Sequence, residues 1–117
     1  MAVCYDLRFP EMFQQMPLDT NVIFLIANWP ESRIRQWYSL LTARAIEMSS
    51  YVVGVNRTGE GEGIQYTKSS AAYAPDGSMI SPRSKKWNDY VTLDFSEEVF
   101  QKTIFSRSDR RPEIYQG

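Results

Sequence analysis

The sequence has 117 residues, a formal net charge of −1 and an aromatic content of 14%, which predicts at most one globular domain with a modest core. It has no basic excess that would attract a phosphate backbone, so its composition gives no support to nucleic-acid binding. It has no histidine and one cysteine, which excludes within this chain an internal disulfide, a Ser-His-Asp triad, a Cys-His dyad and a histidine-based metal site. The longest apolar run, Val22 to Ala27, is far shorter than the ~20 residues of a membrane helix. These features predict a cytoplasmic protein without a membrane segment or a metal site.

The single cysteine lies in the first eleven residues, where the chain changes from apolar to charged within two positions. Met1 to Val3 predicts the end of a strand, and Pro10 can open a helix because its missing N–H costs nothing in the first turn. Strand, tight turn and helix is the order in which serine hydrolases hold their nucleophile on a sharp turn. From the residues alone, Cys4 is either a nucleophile of this kind or a small buried hydrophobic residue.

A strand, a helix and a second strand are predicted in the centre of the chain. The β-branched run from Val22 to Ala27 predicts a strand buried on both faces, as in a sheet covered by helices. A helix is predicted from Ser32 to Ser49, with an apolar stripe made of Ile34, Trp37, Tyr38, Leu41, Ala45 and Met48. A second apolar strand, Tyr51 to Asn56, follows with almost no connection, which indicates a crossover between parallel strands and an α/β fold.

Turns and shorter strands are predicted after this unit. Thr58 to Gly63 predicts a glycine-spaced loop, because its glutamates and the lack of a following helix argue against a phosphate cradle. Pro75 to Ser78 predicts a turn in which Gly77 supplies a positive φ. The strands predicted around it are Ser69–Ala74, Met79–Ile80 and a half-buried Tyr90–Phe95. A helical turn over 97–102 and a polar arm over 106–117 are predicted to follow.

Motifs along almost the whole chain resemble the nitrilase superfamily, the carbon–nitrogen hydrolases. The segment Val3 to Glu11 resembles the nucleophile motif of that family. The segments and residues that match in register downstream are Ala27–Pro30, Arg33, Trp37, Leu40–Glu47, Tyr51–Arg57, Tyr66, Ser70, Pro75, Gly77 and Ser108–Pro112. Met48 and Lys68 depart from the family pattern, where Asn and Gly are usual, and these departures affect local packing more than chemistry.

The resemblance implies the C-terminal portion of a nitrilase-like four-layer α-β-β-α sandwich. Residues 1–117 would then form a single partial domain, and the catalytic Glu and Lys of the family would lie before the cysteine, outside this chain. The variant at Asn28 to Pro30 is most similar to the omega-amidase branch, which removes ammonia from the side-chain amide of 2-oxo acids such as 2-oxoglutaramate.

The function implied is hydrolysis of a small-molecule amide without a cofactor, in a homodimer or a higher oligomer. Without the family's Glu and Lys, the isolated chain is expected to show little or no turnover. Two alternatives remain: a non-catalytic fragment that acts as a binding or oligomerisation module, and an amidase of another nitrilase branch.

The resemblance makes Cys4 the nucleophile that attacks the amide carbon, after which ammonia leaves and water hydrolyses the thioester. The backbone N–H of Tyr5, next to the nucleophile at a turn, is expected to donate to the oxyanion. Asn28 and Trp29 end a strand beside the strand of Cys4, so they are expected to line the substrate pocket. Arg8 is the candidate clamp for a substrate carboxylate.

Structural roles are the alternatives for several of these charged and aromatic residues. Arg8 could instead form an ion pair with Asp6 that fixes the turn, and Trp29 could simply pack in the core. Arg44 and Glu47 on the long helix predict a buried or partner-facing ion pair rather than a catalytic pair.

Overall fold

The computed structural model, which describes residues 2–85 and 88–96, is built on a five-stranded sheet. The elements in chain order are β1 (Ala2–Val3), a 3₁₀ helix (Cys4–Arg8), α1 (Pro10–Gln14), β2 (Val22–Ala27), a 3₁₀ turn (Glu31–Arg33), α2 (Ile34–Met48), β3 (Tyr51–Asn56), β4 (Gly59–Gly61), β5 (Ile64–Tyr66), β6 (Ala71–Tyr73), β7 (Met79–Ile80), β8 (Arg83–Lys85) and β9 (Asn88–Tyr90). The sheet order is β1-β2-β3-β6-β7, with β4-β5 and β8-β9 as separate hairpins. The α/β class predicted from the sequence is confirmed.

The predicted crossover is present as β2-α2-β3, in which the two strands run parallel. Helix α2 ends where Ser49 adopts a left-handed conformation (φ 48°) and its N–H bonds back to Ala45 and Ile46. The apolar stripe of α2 supplies much of the core: Trp37, Leu41, Ala45 and Met48 are all buried. None of the helices formed by the described residues is long and apolar enough to cross a membrane.

Gly54 in β3 lets the helix approach the sheet closely. A Cβ at this position would lie 2.8 Å from both Leu41 Cδ1 and Trp37 Cζ2, closer than carbon atoms can pack without movement. The missing side chain is therefore the reason that two large residues of α2 can lie directly on the strand.

The prediction that β2 is buried on both faces is wrong. Its side chains alternate, with Ile23 and Leu25 buried and Phe24 and Ile26 exposed by 48 and 46%. The β2-β3 register places Ile26 beside Val55, which is 49% exposed. Because α2 packs on one face only, a run that is apolar on both faces leaves its second face open in the described part of the chain.

Two further predictions in the second half of the chain are wrong. The segment Thr58 to Gly63 forms most of a hairpin, because Glu62 (φ 51°) and Gly63 (φ 80°) have the positive φ values of a tight turn between β4 and β5. The strand predicted over Tyr90 to Phe95 stops at Tyr90. Beyond it the Tyr51 hydroxyl bonds both backbone groups of Asp94, at 2.6 and 3.1 Å, in place of a neighbouring strand.

The turn predicted at Pro75 to Ser78 is confirmed, with Gly77 at φ 89°. It joins β6 to β7, and the Ala74 N–H donates to the Ser78 carbonyl oxygen at 2.8 Å. The predictions for 97–102 and 106–117 lie outside the described residues.

Substituting Gly54→Ala should lower the free energy of unfolding by about 1–3 kcal/mol, the usual result of overpacking a core. Denaturant unfolding followed by circular dichroism measures the change. Leu41→Ala removes one of the two clashing side chains, so the double variant should lose less stability than the sum of the single variants. Strictly additive losses would contradict the close approach described above.

Candidate active site

Cys4 lies at the carboxyl edge of the sheet, on the first residue after β1. Strand β1 runs parallel to β2, with Val3 beside Ile26, so the chain following each strand emerges at the same edge. Cys4 has φ 32°, a left-handed conformation that is uncommon for a residue with a side chain and is often found at functional sites. The sharp turn predicted here is a 3₁₀ helix, in which Cys4 is half-buried.

The side chain of Cys4 is directed at the loop that follows β2. Its Sγ donates to the carbonyl oxygen of Asn28 at 3.9 Å. The structure therefore brings together two of the residues selected from the sequence, although the Asn28 contact is made by its backbone and its side chain is exposed.

Arg44 of α2 is hydrogen-bonded to the 3₁₀ helix that begins at Cys4. Its Nη2 and Nε both donate to the carbonyl oxygen of Leu7, at 2.9 and 3.2 Å, and its residue surface is only 5% exposed. Its Nη1 bonds Glu47 Oε1 at 3.2 Å, which confirms the predicted ion pair. The link to Leu7 was not predicted, although Arg44 lies among the stripe residues Leu41 and Met48 and its burial could have been inferred from that spacing.

Arg8 lies over the ring of Trp29, with its guanidinium carbon 4.9 Å from the ring centroid. Its Nη2 also donates to Gln36 Oε1 at 3.0 Å. Trp29 itself is buried, stacks at an angle on Trp37 with 5.5 Å between ring centroids, and donates from Nε1 to the Arg33 carbonyl oxygen. Trp29 is thus packed in the core, and its role in lining a substrate pocket stays a prediction. Arg8 covers its ring at the same edge as Cys4.

Asn56, the last residue of β3, fixes the loop after β2 and was not selected from the sequence. Its Oδ1 accepts from the Trp29 N–H at 2.7 Å, and its Nδ2 donates to the Trp29 carbonyl oxygen at 2.9 Å. The available signal was a polar residue ending an apolar strand, in register with Ala27. That signal indicates a contact at the carboxyl edge without identifying the partner.

Tyr5 is 66% exposed, and its ring meets the ring of Phe9 edge-on at 5.2 Å. The role of its backbone N–H as an oxyanion donor stays a prediction, as does the pairing of Asp6 with Arg8. Among the described residues, no three side chains of Cys, Asp or Glu converge on a position that could hold a metal ion.

Comparison with known proteins identifies the family to which this chain belongs. Residues 1–104 match the family model described as carbon–nitrogen hydrolase. A 2-oxoglutaramate amidase of Bacillus subtilis is 38% identical over 117 residues, which cover 97% of this chain and 45% of that protein. An omega-amidase of Escherichia coli is 45% identical over 80 residues, which cover 68% of this chain and 31% of that protein. The chain spans less than half the length of either relative.

Solved structures show the same fold. A carbon–nitrogen hydrolase superfamily protein of Xanthomonas campestris, described with an arsenic adduct in its active site, superposes with a TM-score of 0.72 at 29% identity, over 98% of this chain and 44% of that one. A carbon–nitrogen hydrolase of Helicobacter pylori superposes with a TM-score of 0.76 at 24% identity, over 97% of this chain and 46% of that one. The described part of the chain therefore has the architecture of part of a nitrilase-superfamily domain.

Replacing Arg44 with Met keeps an unbranched apolar side chain but removes the guanidinium that donates to the Leu7 carbonyl oxygen. The free energy of unfolding should fall by about 2–3 kcal/mol, the range for losing charged hydrogen bonds to a buried acceptor. Urea denaturation provides the measurement. Glu47→Gln is the matched control, since it keeps an acceptor for Arg44 and should cost less than about 1 kcal/mol. Equal losses in the two variants would show that the Leu7 contact is not the stabilising one.

Proposed function

The chain belongs to the carbon–nitrogen hydrolase family, and on that premise we propose that it is the nucleophile-bearing part of an amide hydrolase of omega-amidase type. The observation that carries the proposal is the placement of Cys4, at positive φ, on the carboxyl edge of the parallel strands. This is the edge at which open α/β sheets bind their ligands. The names of the two amidase relatives support the choice of substrate bond.

The proposed reaction passes through a covalent intermediate. The Cys4 thiolate attacks the amide carbon, forming a C–S bond, and the C–N bond then breaks as the nitrogen takes a proton and leaves as ammonia. Water attacks the thioester, which releases the carboxylic acid and returns the thiol. The backbone N–H of Tyr5 follows Cys4 directly and is proposed to donate to the oxygen that becomes negative in each tetrahedral intermediate.

The proposed substrate is a small amide that also carries a carboxylate, such as 2-oxoglutaramate. Arg8 supports this choice because the residue is half-buried and its guanidinium lies over Trp29, at the edge where Cys4 also lies. A guanidinium can bind a carboxylate through two parallel hydrogen bonds, which orients the ligand as well as holding it. In an amidase of another branch, acting on an amide without a carboxylate, Arg8 would keep only structural contacts such as those with Trp29 and Gln36.

We further propose that the 117-residue chain alone has little or no turnover. The described hydrogen bond of Cys4 Sγ ends on a backbone carbonyl, which accepts a hydrogen bond but does not take up the proton. The general base and the lysine implied by the family resemblance would come from sequence before the cysteine.

A non-catalytic module for binding or oligomerisation is the second candidate function. The exposed apolar face that contains Phe24, Ile26 and Val55 favours it, since contiguous apolar surface often marks a site of association. A stable chain in which Cys4 does not react with alkylating reagents would favour this module over the hydrolase.

The purified chain, incubated with 2-oxoglutaramate, should release no more ammonia than its Cys4→Ala variant. A coupled glutamate dehydrogenase assay measures the ammonia. Release that Cys4→Ala abolishes would contradict the proposed inactivity of the isolated chain and would support the nucleophile directly.

Ligand protection tests the role of Arg8 without turnover. The sole cysteine allows iodoacetamide labelling to be followed by intact mass, and 2-oxoglutaramate should slow the labelling of Cys4. Arg8→Gln should raise the half-protecting concentration about tenfold, as expected for the loss of a charged hydrogen bond to a carboxylate. Arg8→Lys keeps the charge without the planar fork, so it should lie between the two.

Butyramide, which has no carboxylate, is the matched ligand control for this experiment. Its effect on labelling should be the same in the parent chain and in Arg8→Gln. Equal protection by 2-oxoglutaramate in both proteins would reject the carboxylate clamp.

A further inference from the structure

One peptide group connects Asn56 to Cys4. The N–H of Trp29 and the C=O of Asn28 belong to the same peptide, and they bind on different sides: the N–H donates to Asn56 Oδ1 at 2.7 Å, and the C=O accepts from Cys4 Sγ at 3.9 Å. The described chain contains no cis peptide. In a planar trans peptide the N–H and C=O point in opposite directions, so fixing one of them fixes the other.

The side-chain amide of Asn56 is itself held in one orientation by its hydrogen bonds. It is buried, and its Nδ2 donates to both the Trp29 carbonyl oxygen and Ser69 Oγ at 2.9 Å. The Trp29 N–H can only donate and its C=O can only accept, so the two partners determine which way the Asn56 amide faces. The Asn56 side chain therefore hydrogen-bonds both the N–H and the C=O of Trp29.

We propose that Asn56 is a positioning residue that aims the Asn28 carbonyl at Cys4 and thereby sets the direction of the sulfur. This inference rests on the proposed function, in which Cys4 is the nucleophile. The described hydrogen bonds of the Asn56 side chain end on Trp29 and Ser69 and not on the sulfur. Asn56 acts through the peptide group, which keeps the thiol turned toward the end of β2 until the substrate displaces that contact.

The experiment compares Asn56→Ala with Ser69→Ala. Ser69 Oγ is buried in the same network, and it accepts from Asn56 and donates to the Thr67 carbonyl oxygen. Ser69→Ala removes these buried hydrogen bonds but leaves the two bonds from Asn56 to Trp29 in place. Both variants should therefore lose stability, whereas only Asn56→Ala should release the peptide between Asn28 and Trp29.

Two readouts report on that peptide. Amide exchange measured by NMR should show a protected Trp29 N–H in the parent chain and in Ser69→Ala, with the protection lost in Asn56→Ala. Iodoacetamide labelling of Cys4 should be about threefold faster in Asn56→Ala, because the sulfur no longer has to leave a weak S–H···O contact. Ser69→Ala should label at the parental rate.

Asn56→Asp keeps the acceptor for the Trp29 N–H and replaces the donor to the Trp29 carbonyl oxygen by an acceptor. It therefore tests the N–H contact by itself if Asn56→Ala does not fold. It should retain Trp29 protection and the parental labelling rate. The inference is overturned if Trp29 exchanges freely in the parent chain, or if Asn56→Ala labels like Ser69→Ala. The proposed function fails separately, if 2-oxoglutaramate gives Cys4 no protection while the contrast between the two alanine variants holds.

Discussion

The two hydrogen bonds from Arg44 to the Leu7 carbonyl are the interaction on which the cysteine turn depends. Strand β1 leads directly into Cys4 and pairs with β2 at Leu25 and Ile26. The buried guanidinium ties the 3₁₀ helix to α2, the best-packed helix of the described chain. A charge in the core is tolerable because the carbonyl and Glu47 satisfy its donors.

A second set of hydrogen bonds, from Asn56 of β3 to the loop after β2, fixes the carboxyl edge of the sheet. Asn56 holds both backbone groups of Trp29, and Trp29 in turn supports Arg8 through its ring. The proposed nucleophile, the candidate carboxylate clamp and the loop thus rest on two buried polar side chains, which come from the helix and a strand of one crossover unit. Buried polar groups that are fully bonded give a single geometry rather than an adaptable surface.

The central crossover could be predicted from the sequence because its signals are local. The spacing of Trp37, Leu41 and Met48 defines the buried side of α2 without reference to any other segment. The exposed face at Phe24 and Ile26 could not be predicted, because apolar composition does not reveal how many layers pack against a strand. The contacts of Arg44 with Leu7 and of Asn56 with Trp29 join segments 37 and 27 residues apart, and side-chain bonds to a distant backbone leave no periodic trace.

Gly54 has a consequence for how this chain can vary. The space that its missing Cβ leaves is filled by Leu41 and Trp37, so three positions share one volume. A larger residue at 54 is compatible with the fold only if a smaller one appears at 37 or 41. Among homologous sequences these positions should therefore change together, and a pair of natural substitutions would be tolerated where either one alone is not.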